Sequence, residues 1–183
     1  MKLPITLILV YLVASMALFT LNRQEKNDKT MFLNEKLTEL EGYIKYRDCV
    51  DPKISKVALD WHLDHSLRTV NEICKALKNS DSENYRADIN LGRSYLLLVN
   101  KIPRGQAQAP KIVVPSDTIY TDSLYLQLDK ARANLVGYDS LPQKAFFTHP
   151  YLGRLKKRTA KRFIEIHTEH HLKIIRDILK EQS

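Results

Sequence analysis

The sequence predicts an all-α chain: an up-and-down four-helix bundle with a long crossover loop, preceded by an N-terminal transmembrane helix. Three observations lead there. Apolar residues recur at helical spacing in four separated stretches. Glycine is scarce, 5 among 183 residues, which disfavours a turn-rich sheet. Residues 3–21, "LPITLILVYLVASMALFTL", carry no charge. At 183 residues and 44% hydrophobic, the remainder is long enough for one domain with its own core.

The predicted organisation has three parts: an anchor or signal segment over 1–22, a polar linker over 23–30, and a helical bundle over 31–183. At about 1.5 Å per residue, the apolar run matches a ~30 Å hydrocarbon layer. A cleaved signal peptide is the rival, since Ser15 and Ala17 have cleavage-site spacing. The uncleaved reading makes the chain a single-pass membrane protein, expected in a bacterial inner membrane. Lys2 lies before the run and Arg23, Lys26 and Lys29 after it, so the side holding the bundle stays open.

Phe32, Leu33, Leu37, Leu40 and Ile44 then mark a helix that ends between Gly42 and Tyr46. Pro52 interrupts the pattern. Ser55 is the expected N-cap of a second helix over 56–79, with Val57, Ala58, Trp61, Val70, Ile73, Cys74 and Leu77 on its apolar side. Residues 87–101 resume as a helix or a buried segment. Residues 102–121 hold Pro103, Gly105, Pro110 and Pro115 and form the crossover, with "KIVV" as a short extended piece. A third long helix runs from Asp122 as N-cap to Gly137 as stop. Residues 139–155 read as a connection, and the last helix starts near Lys157.

The formal net charge is +8, but its 29 cations are scattered among 21 acids and no nucleic-acid motif is present. Nucleic acid is not an expected partner; a solvated helical surface explains the charge. The two cysteines form no CxxC pair, and Cys74 falls among apolar neighbours as a small hydrophobe.

Five of the six histidines occupy two predicted helices: His62 and His65 on the second, and His167, His170 and His171 on the last. His167 and His171 stand at i and i+4 in a stripe with Ala160, Ile174 and Ile178, so they project from one apolar face. A buried imidazole must hydrogen-bond or coordinate. Two imidazoles one turn apart can grip a metal ion, and a third ligand from the second helix completes a three-nitrogen site. Such a site leaves a coordination position open, as catalytic sites do. Imidazoles suit Zn, Ni, Fe or Cu, and the ligand set alone does not choose.

The segments "WHLDHSL", "HPYLGRL" and "EIHTEHHLKII" resemble the DinB-like (YfiT-like) superfamily of metal-dependent enzymes, over roughly residues 30–180. They are most similar to a subfamily that ends in HP-aromatic-G-L followed by HxxHH. The resemblance implies a divalent transition metal, Zn, Ni or Fe, held by His62, His167 and His171. His62 matches best because the ligand follows an apolar run, here "VALDWH". His65, one turn on, is an alternative ligand or an outer partner, and His170 replaces His171 only if the helix phase differs. The implied activity is that of a metal-dependent hydrolase or thiol transferase acting on a small molecule. The competing class is a non-catalytic scaffold or interaction module with a vestigial site. Oligomeric state stays open, with a dimer allowed.

On the crossover, Arg104 and Lys111, with Lys101, are candidates for binding an anionic substrate. His149 is expected to cap a turn with Pro150, and Trp61 to pack in the core. Glu165 and Glu169 lie off the histidine face.

Overall fold

The computed structural model describes residues 13–16, 33–105 and 108–181. The chain divides into two compact units, residues 1–35 and 36–183. The described residues of the first unit are helical. The second unit opens with helical residues 36–43, α1, which run into a 3-10 turn over Ile44–Tyr46. Helices α2 (Leu59–Lys78), α3 (Leu91–Val99) and α4 (Thr121–Tyr138) follow. An antiparallel hairpin of β1 (Phe146–His149) and β2 (Gly153–Lys156) leads directly into α5 (Lys157–Lys180).

The core lies where α2 packs against both α4 and α5. Leu59, Leu63, Leu67 and Leu77 of α2, Leu124 and Leu128 of α4, and Ile164, Leu172, Ile175 and Ile178 of α5 are all at most 1% exposed. Each such side chain contributes roughly 1.5–3 kcal/mol through burial. The first half of α2 also packs against a 3-10 turn over Lys111–Val113, so residues 62–67 are all buried. Polar groups in that stretch find partners close by. Ser66 Oγ donates to His62 O (2.7 Å), Thr69 Oγ1 donates to His65 O (2.8 Å), and Asp64 accepts from Arg68 and Gln127.

The start of α5 is fixed as tightly. Lys157 Nζ donates to the carbonyls of Asp139 and Leu141 at 2.8 and 2.7 Å, and Tyr138 Oη donates to Lys157 O at 2.7 Å. These bonds tie the end of α4 to the first turn of α5.

The sequence expectation is corrected in several places. The chain is not all-α, because residues 146–156 form the hairpin instead of an irregular connection. The turn works because Gly153 takes φ of +69°, a left-handed conformation that disfavours side chains. Arg93 holds the hairpin to α3: its Nη1 donates to Asp88 Oδ1 (2.6 Å) and to the carbonyls of Leu152 (3.0 Å) and Arg154 (2.9 Å). Helix α3 itself has no buried residue, so residues 87–101 are not a buried segment. "KIVV" curls into a 3-10 turn instead of extending.

The expected transmembrane helix and single-pass membrane location are also overturned. No helix among the described residues is long and apolar enough to cross a membrane. Of the apolar run 3–21 only residues 13–16 are described; the rest of that expectation lies outside the described residues.

Gly153 offers a direct check of the hairpin clamp. A Cβ at this position would sit 2.1 Å from Asp88 Oδ2, the same oxygen that accepts Arg154 N at 3.0 Å. Gly153→Ala is expected to lower stability by about 1–2 kcal/mol through clash and positive φ together. Urea unfolding measures this, and an unchanged midpoint would contradict the clamp.

Candidate metal centre

The site is built from α2 and α5. On α2, His62 and His65 stand at i and i+3 and are each 4% exposed. On α5, His167 and His171 stand at i and i+4, and His171 is 6% exposed. Helix packing brings the two pairs face to face. One ring nitrogen from each of His65, His167 and His171 lies within 4.8 Å of the others, a group that could hold a metal ion. Ring centroids are separated by 4.6 Å for His167 and His171, 4.8 Å for His65 and His171, and 5.0 Å for His65 and His167.

The bonds around these rings set what each nitrogen can do. His65 Nδ1 lies 2.8 Å from Val113 O. A carbonyl only accepts, so Nδ1 carries the proton and Nε2 presents a lone pair. His65 Nε2 lies 3.2 Å from His167 Nε2, and His167 Nδ1 is buried with no hydrogen-bond partner. Two imidazole nitrogens bound to one tetrahedral ion at about 2.0–2.1 Å stand roughly 3.3 Å apart. The His65–His167 spacing fits a shared divalent ion, and His171 lies close enough to complete the donor set.

The α2 ligand is therefore where the structure departs from the implied triad. His65 joins His167 and His171 in the cluster, and His62 stands one step out. His62 Nδ1 lies 3.0 Å from His171 Nδ1, and its Nε2 lies 2.9 Å from Ser55 Oγ. Ser55 is not the N-cap of α2, which starts at Leu59 with Ala58 in that position and no side-chain cap. Trp61 is not simply core: it is half-buried and stacks on His65, centroids 4.7 Å apart and planes 20° apart. His170 is half-buried, edge-on to His171 at 5.0 Å. His149 Nδ1 accepts from Tyr151 N at 3.1 Å and Leu152 N at 3.3 Å, closing the hairpin turn. Neither Ser55 nor the partner carbonyl of Val113 was legible as a site residue. The only sequence signal for Ser55 is its place seven residues before His62.

Burial keeps the imidazoles neutral. It pushes His62 down to about 4, helped by the fields of His65, His170 and Arg104. His65 is lowered by burial, with the Val113 bond opposing. His167 and His171 are held well below the ordinary histidine range, first by burial and then by neighbouring histidines, His65 and His170 in both cases. Neutral imidazole is the form that coordinates a metal.

Beside the cluster is a groove of about 620 Å³ between the end of α3 and α5, lined by Tyr95, Val99, Lys101, Arg104, His170 and Lys173 among others. Arg104 reaches it but is paired with Asp177 at 2.7 Å. Lys111 does not line this groove; it is exposed at the start of the 3-10 turn that carries Val113. Glu169 also lines the groove, engaged by Lys36 and Arg176.

No protein-family model matches the chain, and no curated protein or solved structure is similar to it.

The buried imidazoles give the protein a pH dependence of known sign. In the unfolded chain His62 takes up a proton near 6.5; in the folded chain it stays neutral to about 4. Between those values the unfolded state binds more protons, so stability falls as pH drops. Each imidazole held neutral in this way contributes at most ~1.4 kcal/mol per pH unit. The chelator-treated protein is expected to show a lower urea midpoint at about pH 5 than at about pH 7. Equal midpoints would mean that the rings are not held neutral.

Proposed function

We propose that His65, His167 and His171 hold one divalent transition metal, and that the chain is a DinB-like metal-dependent hydrolase or thiol transferase acting on a small molecule. The approach of His65 Nε2 to His167 Nε2 at 3.2 Å carries this reading. The first nitrogen presents a lone pair because its ring donates elsewhere, and the second belongs to a ring whose other nitrogen has no partner. The order of the histidines along the chain, one helix early and an HxxxH late, supports the DinB-like assignment.

A divalent ion held by three imidazoles supplies Lewis acidity at an open coordination position. The chain's own residues do the rest. His65 is oriented by Val113 O and braced by the Trp61 ring. Desolvation between α2 and α5 keeps all three rings unprotonated. Lys101, Arg104 and Lys173 line the adjoining groove with Glu169 and Asp177 as counter-charges, a small cationic excess that would favour an anionic group on the substrate.

The second reading is a scaffold whose imidazoles serve packing alone. It is favoured by the backbone partner of His65 and by the Ser55–His62 bond, which satisfy buried rings without an ion.

Metal analysis separates the two. The untagged full chain is expected to carry about one transition metal per molecule by mass spectrometry. His167→Ala and His171→Ala should each weaken binding by more than the roughly 10–100-fold typical of an outer partner. Absence of metal after reconstitution with Zn, Ni and Fe would overturn the metal reading in favour of the scaffold.

A further inference from the structure

The His62–His171 contact joins two rings through the same nitrogen type, Nδ1 to Nδ1 at 3.0 Å. One must donate and the other accept. At the far end His62 Nε2 meets Ser55 Oγ at 2.9 Å, an oxygen that already accepts from Val57 N at 3.2 Å. Two proton arrangements satisfy this chain. In one, protons point outward: His171 Nδ1–H donates to His62 Nδ1, and His62 Nε2–H donates to Ser55 Oγ. In the other every proton is reversed, and His171 Nε2–H points away from His62.

A cation at the cluster decides between them, because it needs a lone pair from each ring. His65 Nε2 is already a bare lone pair, because Nδ1 of that ring is committed to Val113 O. With His171 Nδ1 engaged by His62, Nε2 is its one remaining donor atom. We propose that Ser55 and His62 form a hydrogen-bonded chain that locks His171 as its Nδ1–H tautomer, leaving the Nε2 lone pair for a divalent transition cation. His62 is thus a positioning residue and not a ligand. The hydrogen-bonded chain stands on its own geometry; the choice of the Nδ1–H tautomer and the cation's place rest on the metal reading above.

Ser55 is held where the chain needs it. Its N–H donates to Asp51 O at 2.9 Å, and Ile54 N donates to the same carbonyl at 3.0 Å. The loop is tied to α2 by Leu59 N donating to Cys49 O and Asp60 N donating to Arg47 O, both at 2.9 Å. The loop fixes Ser55, Ser55 fixes His62, and His62 fixes the ring on the opposite helix. Carboxylate and carbonyl partners do this for metal-binding histidines generally, and their loss costs about 10–100-fold in affinity. Here a neutral imidazole backed by a hydroxyl takes that place.

The test uses the full chain with ¹⁵N-labelled histidine. In chelator-treated protein, two-bond ¹H–¹⁵N correlation spectra report the His171 tautomer directly. The Nδ1–H form is expected, shifting towards Nε2–H in His62→Ala. Zinc competition with a chromophoric chelator should then show affinity falling by about 10–100-fold in His62→Ala at unchanged stoichiometry. His62→Gln, whose carboxamide oxygen accepts the same bond, should restore most of the loss. Ser55→Ala, the milder change should His62→Ala fail to fold, should weaken zinc binding less than His62→Ala. An Nε2–H tautomer in the unmodified protein overturns the proposal, as does unchanged zinc affinity in both Ser55→Ala and His62→Ala. Loss of stoichiometric zinc in His62→Gln would make His62 a ligand and also overturn it. The Nδ1–H tautomer in a protein that binds no zinc upholds the lock while overturning the metal reading.

Discussion

An imidazole taken out of water must keep both ring nitrogens engaged, and four such rings meet between α2 and α5. Leaving one polar group unpaired costs roughly 1–3 kcal/mol in a protein interior. The surroundings answer that cost ring by ring. A carbonyl 48 residues along the chain serves His65, a serine serves His62, and His62 serves His171. His167 Nδ1 is the exception, buried and without a hydrogen-bond partner. The one unsettled ring of the cluster is also the one whose other nitrogen faces the lone pair of His65. A cation at that point would use both lone pairs at once.

The rest of the fold serves this arrangement. Helix α2 is buried on nearly all sides over residues 62–67 because α4, α5 and the Lys111–Val113 turn close around it. That enclosure desolvates His62 and His65 and delivers the carbonyl that sets the tautomer of His65. Helix α5 is held at its first turn by the Lys157 bonds, which set where His167 and His171 fall along α2. Further along, Arg176 pairs with Glu39 and Glu169 and Lys36 joins Glu169, so the outer face of α5 is tied to α1. These pairs are half-buried, and Lys36 is buried. Their value here is to hold the rotation of α5.

The sequence made half of the site legible. An i, i+4 histidine pair in an isoleucine-flanked stripe is a local signal, and residues 167 and 171 do share one face towards α2. The choice between His62 and His65 was not local. Both lie on the same side of α2, one turn apart, and only the rotation of α2 against α5 and the position of Val113 distinguish them. A family resemblance pointed to His62, while the geometry puts His65 in the cluster and His62 behind His171. Similar reasons explain the hairpin. Its strands are four residues each and hold no clean alternation, and the decisive features are a left-handed Gly153 and an arginine from α3. The long helices α2, α4 and α5 were legible because their apolar spacing is written in adjacent turns. Residues 87–101 were open between a helix and a buried segment; the helix formed at Leu91–Val99 without burial, because an apolar composition does not reveal how much of a surface its neighbours cover.

In the proposed centre three imidazoles from two helices share one cation while a fourth stands behind them. Crystals of the full chain grown with zinc test it directly through anomalous scattering at the zinc edge. One strong peak is expected within about 2.0–2.1 Å of a nitrogen of each of His65, His167 and His171, with His62 still bonded to His171. No peak at the cluster, or a peak that takes His62 as a ligand in place of His65, would contradict it.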